Sequence, residues 1–439
     1  MLEIRGSVKD YDWGKVGKDS IIFDLISGPS NSSLINLSYA ELWMGTHSKG
    51  KCEIIGIAHS NLKDYIIKNP DSLGFMGKTI KSLPFLFKVL SISKPLSIQV
   101  HPNKSEAEAL HKDYPEIYQD DNHKPEMVIA LTKFEALVGL RSYTTISWIV
   151  SNLPGFKDAL SDDLVAKLDS DCFQETEATR GLIQRLFEEI FNLSDEVIDS
   201  INSALQSFFD NAASNGFPDE KSIIKEISRV FTKLHHHYRH DVGCIIGLLL
   251  NYFSLQPGES LFLKANTIHA YLSGDCIECM ACSDNVIRAG LTTKFIDKKT
   301  LLTHMDLSYE KDSFIVKAKS ECIQIGLGSL SYSCYDVGLE EFLVNKIESV
   351  NCVKGYFDLK PVAGASLLIF ISGNGRIMTD EEADSIYFNR GTIIYLSAKK
   401  SARLQIEELE NLLIFQACMN YTTAVILSEL QPSKVRKET

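Results

Sequence analysis

The spacing of apolar residues changes twice along the chain, and this double switch limits the fold more than any other feature. Up to about residue 150, short apolar runs alternate with Gly, Pro, Asn and Asp; examples are Ser20-Ile-Ile-Phe-Asp-Leu-Ile, Pro84-Phe-Leu-Phe-Lys-Val-Leu and Glu126-Met-Val-Ile-Ala-Leu. Runs this short, bounded by turn formers, predict β-strands. One helix is expected among them, where Ser105 and Glu108 stand at capping-box spacing. From about residue 155 to 255 the pattern moves to steps of three and four: Ile183, Leu186, Phe187, Ile190, Phe191; then Val197, Ile198, Ile201, Leu205; then Ile223, Ile227, Val230, Phe231, Leu234. That is amphipathic helix periodicity. After Pro257-Gly258 the strand pattern returns. The chain of 439 residues has room for roughly three domains. The reading is a mainly β fold with an α-helical insertion: 1–150 with 256–320 as one discontinuous β domain, 151–255 as the helical domain, and 321–439 as a second β domain.

The two β parts echo each other. Gly258-Glu-Ser-Leu-Phe-Leu-Lys-Ala-Asn-Thr-Ile-His269 aligns without gaps with Gly391-Thr-Ile-Ile-Tyr-Leu-Ser-Ala-Lys-Lys-Ser-Ala402. Gly, an aliphatic–aromatic–Leu triplet and Ala recur at equal offsets, and His269 is replaced by Ala402. Two related jelly-roll barrels, only the first carrying a metal-binding imidazole, would produce this echo.

Composition narrows the function. Lys and Arg number 45 against 57 Asp and Glu, a formal balance of −12. Nucleic acids and anionic membranes call for concentrated positive charge, so neither is expected as a partner. The start, MLEIRGSVKDYDWG, lacks the basic and apolar regions of a secretory signal. The most apolar stretch, residues 243–253, is about half the roughly 20 residues a membrane span needs. Ten cysteines are too sparse for a disulfide scaffold, which points to a cytoplasmic enzyme with reduced thiols.

The chemistry concentrates in Ser97-Ile-Gln-Val-His101-Pro. In a strand, Ser97, Gln99 and His101 share one face, with Ile98 and Val100 on the other. A barrel interior tolerates three inward polar groups only when they bind something. His123-Lys-Pro-Glu126 places Glu126, with Lys124 nearby, at the start of another strand, and His269 lies in a third. Gln99, His101, Glu126 and His269 together offer two imidazoles, a carboxylate and an amide oxygen, a donor set that suits catalytic Zn²⁺. With one carboxylate the centre keeps positive charge, suited to polarising a carbonyl and holding an enediolate.

Longer motifs surround these residues: Phe85-Leu-Phe-Lys-Val-Leu, Leu96-Ser-Ile-Gln-Val-His-Pro-Asn-Lys104, Asn122-His-Lys-Pro-Glu-Met127, His269-Ala-Tyr-Leu-Ser-Gly-Asp275, Glu278-Cys-Met-Ala-Cys-Ser-Asp-Asn285 and Arg288-Ala-Gly-Leu-Thr-Thr-Lys-Phe295. With Tyr39-Ala-Glu-Leu-Trp-Met-Gly-Thr-His47 near the start, they closely resemble the type I phosphomannose isomerases over nearly the whole chain. Ser48 stands where Pro is expected, and the helical insertion and final barrel look divergent. The resemblance implies two cupin-like jelly-roll barrels plus a helical domain. It implies a monomeric cytoplasmic enzyme with one Zn²⁺ per chain, interconverting mannose 6-phosphate and fructose 6-phosphate and feeding GDP-mannose synthesis or mannose use. The zinc ligands carried over are Gln99, His101, Glu126 and His269, and the catalytic arginine is Arg288. Ser97 and Lys294 are expected at the phosphate, with Trp13 and Asp284 as pocket wall and supporting residue.

Aldose–ketose isomerisation moves a proton between C1 and C2 through a cis-enediol, which needs a base, an electrophile and an anion clamp. Arg288 suits the electrophilic role, being permanently charged and a poor proton shuttle. Glu278 for abstraction and Lys124 for the sugar hydroxyls are the proton-transfer candidates, with a metal-bound water as the third. A cupin-like iron oxygenase would share His101, Glu126 and His269. Gln99, Arg288 and Lys294 favour the isomerase over it, and the full ligand set argues against an inactive sugar-phosphate-binding protein.

Four other signals are read as structural. Cys276, Cys279 and Cys282 are expected as packed thiols, Cys276 and Cys282 on one face of a strand. His235-His-His-Tyr-Arg-His240 reads as a solvated helix end. Gly373-Asn-Gly375 reads as a hairpin turn. Residues 433–439 read as a frayed charged tail.

Overall fold

The strand Leu2–Arg5 pairs antiparallel with Ile393–Leu396, Leu2 opposite Tyr395 and Ile4 opposite Ile393, so the first strand of the chain belongs to a sheet built mainly from its last third. The computed structural model describes residues 1–26, 35–171, 175–215, 223–326, 328–379, 385–409 and 411–421. It divides into two compact units: Met1–Ser91 with Ile277–Cys282 and Val316–Thr439, and Ile92–Cys276 with Ser283–Ile315. These limits differ from the three ranges expected from the sequence. Strand pairing draws Leu2–Arg5 and Glu53–Ile54 to the C-terminal sheet, and the helices share one apolar core with strands of the second unit.

In the first unit the strands run in the order Lys319–Ile325, Gly328–Tyr335, Leu343–Ser349, Leu413–Cys418, Ser366–Ser372, Ile393–Leu396, Leu2–Arg5 and Glu53–Ile54. A smaller sheet joins Val353–Leu359, Ala402–Leu409, Gly375–Thr379 and Ser385–Phe388. Leu330, Phe370, Phe388, Leu404 and Ile414 form part of a buried core, with the Phe370 and Phe388 rings stacked at 4.1 Å. Gly373-Asn-Gly375 is not the expected hairpin. The strand before it pairs within the larger sheet and the strand after it within the smaller one, so the two glycines carry the chain between sheets. The run expected as a strand at Ser20–Ile26 is instead the helix Ile21–Ile26. The Ser20 hydroxyl accepts from the Ile22 amide at 3.2 Å, and its carbonyl accepts from the Asp24 amide. A short apolar run carries too little periodicity to separate strand from helix, and here the serine at its start decides.

In the second unit, Glu126–Ala130 pairs with Ser260–Leu263. Phe134–Leu140 lies between Leu250–Leu255 and the start of the strand His269–Ala281. Ile98–Val100 joins that strand to Ile287–Gly290. The helices Tyr143–Asn152, Asp162–Asp171, Glu177–Phe191, Asp195–Asn215 and Ile223–His237 follow the predicted pattern, beginning before residue 151. Their apolar stripes (Ile183, Leu186, Phe187, Ile190, Ile227, Val230, Phe231 and Leu234) enter the same core as Ile98, Val100 and Ile287. The helix Lys104–Asp113 is capped two residues earlier than expected. Asn103, not Ser105, accepts from the Glu106 amide, and Glu106 returns a bond to the Asn103 amide. His235 to His237 fill the last turn of their helix, and His240 pairs beyond it with Asp199 at 2.8 Å. Cys276 and Cys279 are buried thiols and Cys282 is half-buried. Residues 433–439 lie outside the described residues. Among the described residues no helix is long and apolar enough to cross a membrane.

The echo between the two β parts is also an echo of backbone geometry. Gly258 and Gly391 have φ of 86° and 87°, and Asn266 and Lys399, eight residues on in each copy, have φ of 65° and 58°. The strands Ser260–Leu263 and Ile393–Leu396 occupy equal offsets, and the following strands begin at His269 and Ala402. Glycine costs little in this left-handed region, and asparagine is the side chain that enters it most readily.

Candidate metal centre

A three-residue strand begins the site. Ile98 and Val100 are fully buried in the helical core, so by alternation Gln99 faces the other way, together with His101 two residues later. Gln99 is the register partner of His269 on one side and of Arg288 on the other. Residues directly opposite each other across a sheet project from the same face. His269, Gln99 and Arg288 therefore form a row across three strands. Glu126, the first residue of its strand and opposite Leu263, supplies the carboxylate.

Their ligand atoms converge. The available atoms of His101, Glu126 and His269 all lie within 4.8 Å of one another, and all three residues are buried. His101 Nε2 is 3.5 Å from Glu126 Oε1, and His269 Nε2 is 3.5 Å from Glu126 Oε2. Each Nδ1 faces a backbone carbonyl: His101 that of Asn285 at 2.7 Å, and His269 that of Thr267 at 2.8 Å. A carbonyl can only accept, so both Nδ1 atoms carry the proton and both Nε2 atoms are left as acceptors, that of His101 facing Lys124 Nζ at 3.5 Å. His269 Nε2 is buried and makes no hydrogen bond among the described residues. A buried acceptor of this kind is costly unless something binds it. That nitrogen, His101 Nε2 and a carboxylate, with Gln99 on the same face, fit a tetrahedral or five-coordinate divalent metal.

Electrostatics favour the ligand forms. Burial, followed by the Lys124 charge, pushes the His101 imidazole well below its usual range, keeping it neutral. Burial alone would raise Glu126. The Lys124 ammonium and then the two imidazoles together outweigh it and hold the carboxyl well below the usual range. Lys124 Nζ stands 2.8 Å from Glu126 Oε1 and 3.5 Å from His101 Nε2, within the cluster rather than beside it.

The other predicted residues are placed more widely. Arg288 is half-buried, and burial lowers its pKa from an ordinary value high enough that the charge persists. Ser97 and Asp284 are half-buried, with the Asp284 amide donating to Asp120 Oδ2 at 2.7 Å. Lys294 is exposed. Trp13 and Glu278 belong to the first compact unit. There Trp13 stacks on Tyr11 at 5.7 Å. Glu278, 2% exposed, is ion-paired with Lys88 at 2.8 Å, and the same ammonium lies 3.5 Å from Glu41.

Three contributors escaped the sequence reading. Tyr271 donates its hydroxyl to Glu126 Oε2 at 3.2 Å, and its place two residues after His269, on the same strand face, could have revealed it. The Thr267 and Asn285 carbonyls carry no sequence signal. The Asn285 side chain nonetheless fixes its own backbone by donating to the Asp120 and Asn122 carbonyls at 2.7 and 3.1 Å.

Known proteins resemble this chain over most of its length. Residues 1–143 match the family described as phosphomannose isomerase type I, catalytic domain. Mannose-6-phosphate isomerase of Homo sapiens is 37% identical over 421 residues, covering 94% of this chain and 97% of the human one. That of Rattus norvegicus is 38% identical over 423 residues, 94% of this chain and 96% of the relative. The structure of mannose 6-phosphate isomerase from Salmonella typhimurium bound to fructose 6-phosphate and zinc is 26% identical, with a TM-score of 0.77 over 96% of this chain and all of that one. On the strength of these full-length likenesses and the paired-imidazole site, the chain belongs to the mannose-6-phosphate isomerase family and is an isomerase.

Proposed function

We propose that the chain interconverts mannose 6-phosphate and fructose 6-phosphate through a cis-enediol, with one Zn²⁺ held by Gln99, His101, Glu126 and His269. The observation that carries this reading is the pair of imidazoles whose Nδ1 protons are committed to backbone carbonyls, so that both Nε2 lone pairs point to one carboxylate. The likeness to an enzyme whose structure holds fructose 6-phosphate and zinc supports the substrate and the metal. Bound there, zinc supplies Lewis acidity toward the sugar carbonyl.

The chain's own residues supply the rest. Arg288, in the same cross-strand row as Gln99 and His269, is assigned to the oxygen on which charge develops, where half-burial strengthens its field. Lys124 is assigned to proton movement between the sugar hydroxyls. Its ammonium already lies in the cluster. Glu278 is assigned to abstraction of the carbon-bound proton on the family resemblance, as Trp13 is to the pocket wall. The proton leaves C2 of the aldose and returns at C1 of the enediol, so the reaction is redox-neutral overall. Ser97 and Lys294 are assigned to the phosphate, with Asp284 supporting the loop beside them.

The architecture proposed with this function is two cupin-like jelly-roll barrels with a helical insertion. The enzyme is placed in the cytoplasm as a monomer, its product feeding GDP-mannose synthesis or mannose use. A coupled assay of mannose 6-phosphate conversion, before and after chelation and with zinc restored, tests the proposal. Activity lost to the chelator and regained with zinc is the expected result. No activity in zinc-loaded protein would overturn it and leave a binding protein.

A further inference from the structure

The helical insertion ends in a turn that grips the loop following Arg288. Asp241 Oδ1 accepts from the Leu291 amide at 2.6 Å and from the Gly243 amide at 2.6 Å, and Oδ2 accepts from the Thr292 amide at 3.0 Å. Leu291 has φ of +53°, a region that bulky side chains rarely occupy without a fixed partner. The approach is close enough to require glycine on both sides. A Cβ on Gly290 would lie 2.6 Å from Gly243 Cα, and one on Gly243 would lie 2.5 Å from the Leu291 nitrogen.

The same turn reaches a second loop. The Tyr238 hydroxyl donates to the Pro95 carbonyl at 2.8 Å, two residues before Ser97. From the other side, the buried Asn202 on the helix Asp195–Asn215 donates to the Arg239 carbonyl at 3.1 Å. Tyr238 to Asp241 is thus tied to the helices and, in turn, to both loops that carry the proposed phosphate contacts.

We infer that Asp241 is a positioning residue for the reaction. By clamping the Leu291 and Thr292 amides it fixes where Arg288 and Lys294 stand, and Tyr238 does the same for Ser97. This gives the helical insertion a function: it sets the separation of the two phosphate-side loops. The inference rests on the proposed isomerase reading.

The test uses full-length zinc-loaded protein, comparing wild type, Asp241→Asn and Tyr238→Phe in kcat, KM for mannose 6-phosphate, zinc content and melting temperature. Asparagine keeps the shape but turns one acceptor into a donor facing amide protons. Asp241→Asn is expected to raise KM about tenfold and to lower kcat as well, with zinc content unchanged, on the scale of one or two charge-assisted bonds lost. Tyr238→Phe, which leaves Arg288 untouched, is expected to raise KM about threefold with kcat unchanged. A merely structural role would lower the melting temperature and the active fraction without moving KM. Wild-type KM in both variants, or losses matched by lost zinc, would overturn the inference. Should Asp241→Asn fail to fold, Tyr238→Phe and amide exchange in the wild type decide. Protected Leu291 and Thr292 amides, slowed further by mannose 6-phosphate, support the clamp; exchange at open-loop rates overturns it. An inactive wild type would overturn the isomerase reading itself, before any variant is made.

Discussion

Lys124 Nζ lies 2.8 Å from Glu126 Oε1, two residues along the chain, and balances a carboxylate that is only 2% exposed. An ammonium and a divalent ion draw on the same carboxylate, so removing the ammonium separates metal binding from catalysis. Lys124→Met is expected to hold zinc at least as tightly as the wild type while losing about 10²-fold or more in kcat, the scale of a positioned proton-transfer group. Zinc dialysis and the coupled assay, run on the same preparation, check both halves.

Arg288 is in register with Gln99 and adds no donor atom to the His–Glu–His cluster. Arg288→Ala is therefore expected to keep its zinc and to lose about 10²–10³-fold in kcat, the amount lost when one donor to a developing oxyanion is deleted. An unchanged kcat would remove Arg288 from the mechanism.

His269 offers the only buried imidazole nitrogen among the described residues without a hydrogen-bond partner. His269→Ala should lose bound zinc and, with it, the stabilisation that zinc gives by binding the folded chain alone. Melting curves with and without added zinc should coincide in this variant and differ by several degrees in the wild type. Full zinc occupancy in His269→Ala would show the ligand assignment to be wrong.

Glu135 joins the helix Ile223–His237 to the strands. Only 4% exposed, it accepts bonds from Arg229, Lys233, the Tyr252 hydroxyl and, at 2.7 Å, the Ser273 hydroxyl. Burial raises its pKa, but the Lys233, Tyr252 and Ser273 bonds and the Lys233 charge win and bring the carboxyl down to about 2. A carboxyl depressed in the folded state adds stability that is present above its unfolded pKa and is lost as pH falls toward the folded one. Wild-type stability should therefore drop between about pH 4.5 and pH 2. Glu135→Gln is expected to cost about 2–4 kcal/mol at neutral pH and to flatten that dependence, as urea titrations across the range would read.

Much of the site was legible because strand alternation is local. Ile98 and Val100 go to the core, and the side chains left for the other face are the ones with donor atoms. Helix stripes were legible for the same reason, extending over many turns between Glu177 and His237. Misreadings fell where local chemistry allows two outcomes. Ser20 starts a run short enough to be either element, Asn103 competes with Ser105 for one cap, and Gly373 and Gly375 serve a hairpin or a change of sheet equally well. Choosing between such outcomes takes partners distant in the chain.

The repeated corner shows how far sequence alone reaches. Gly258 and Gly391 announce the same turn, and at equal offsets the backbone at Asn266 and Lys399 is the same, so the repeated spacing marked both corners. The sequence also decided that one copy ends in an imidazole and the other in a methyl group. What only the tertiary structure decided is that the imidazoles of His101 and His269 present Nε2 to Glu126. Their tautomers are set by the carbonyls of Asn285 and Thr267, groups that every residue possesses. A group common to all residues leaves no mark in a sequence. It acquires a role only when folding brings it to the right side of a ring.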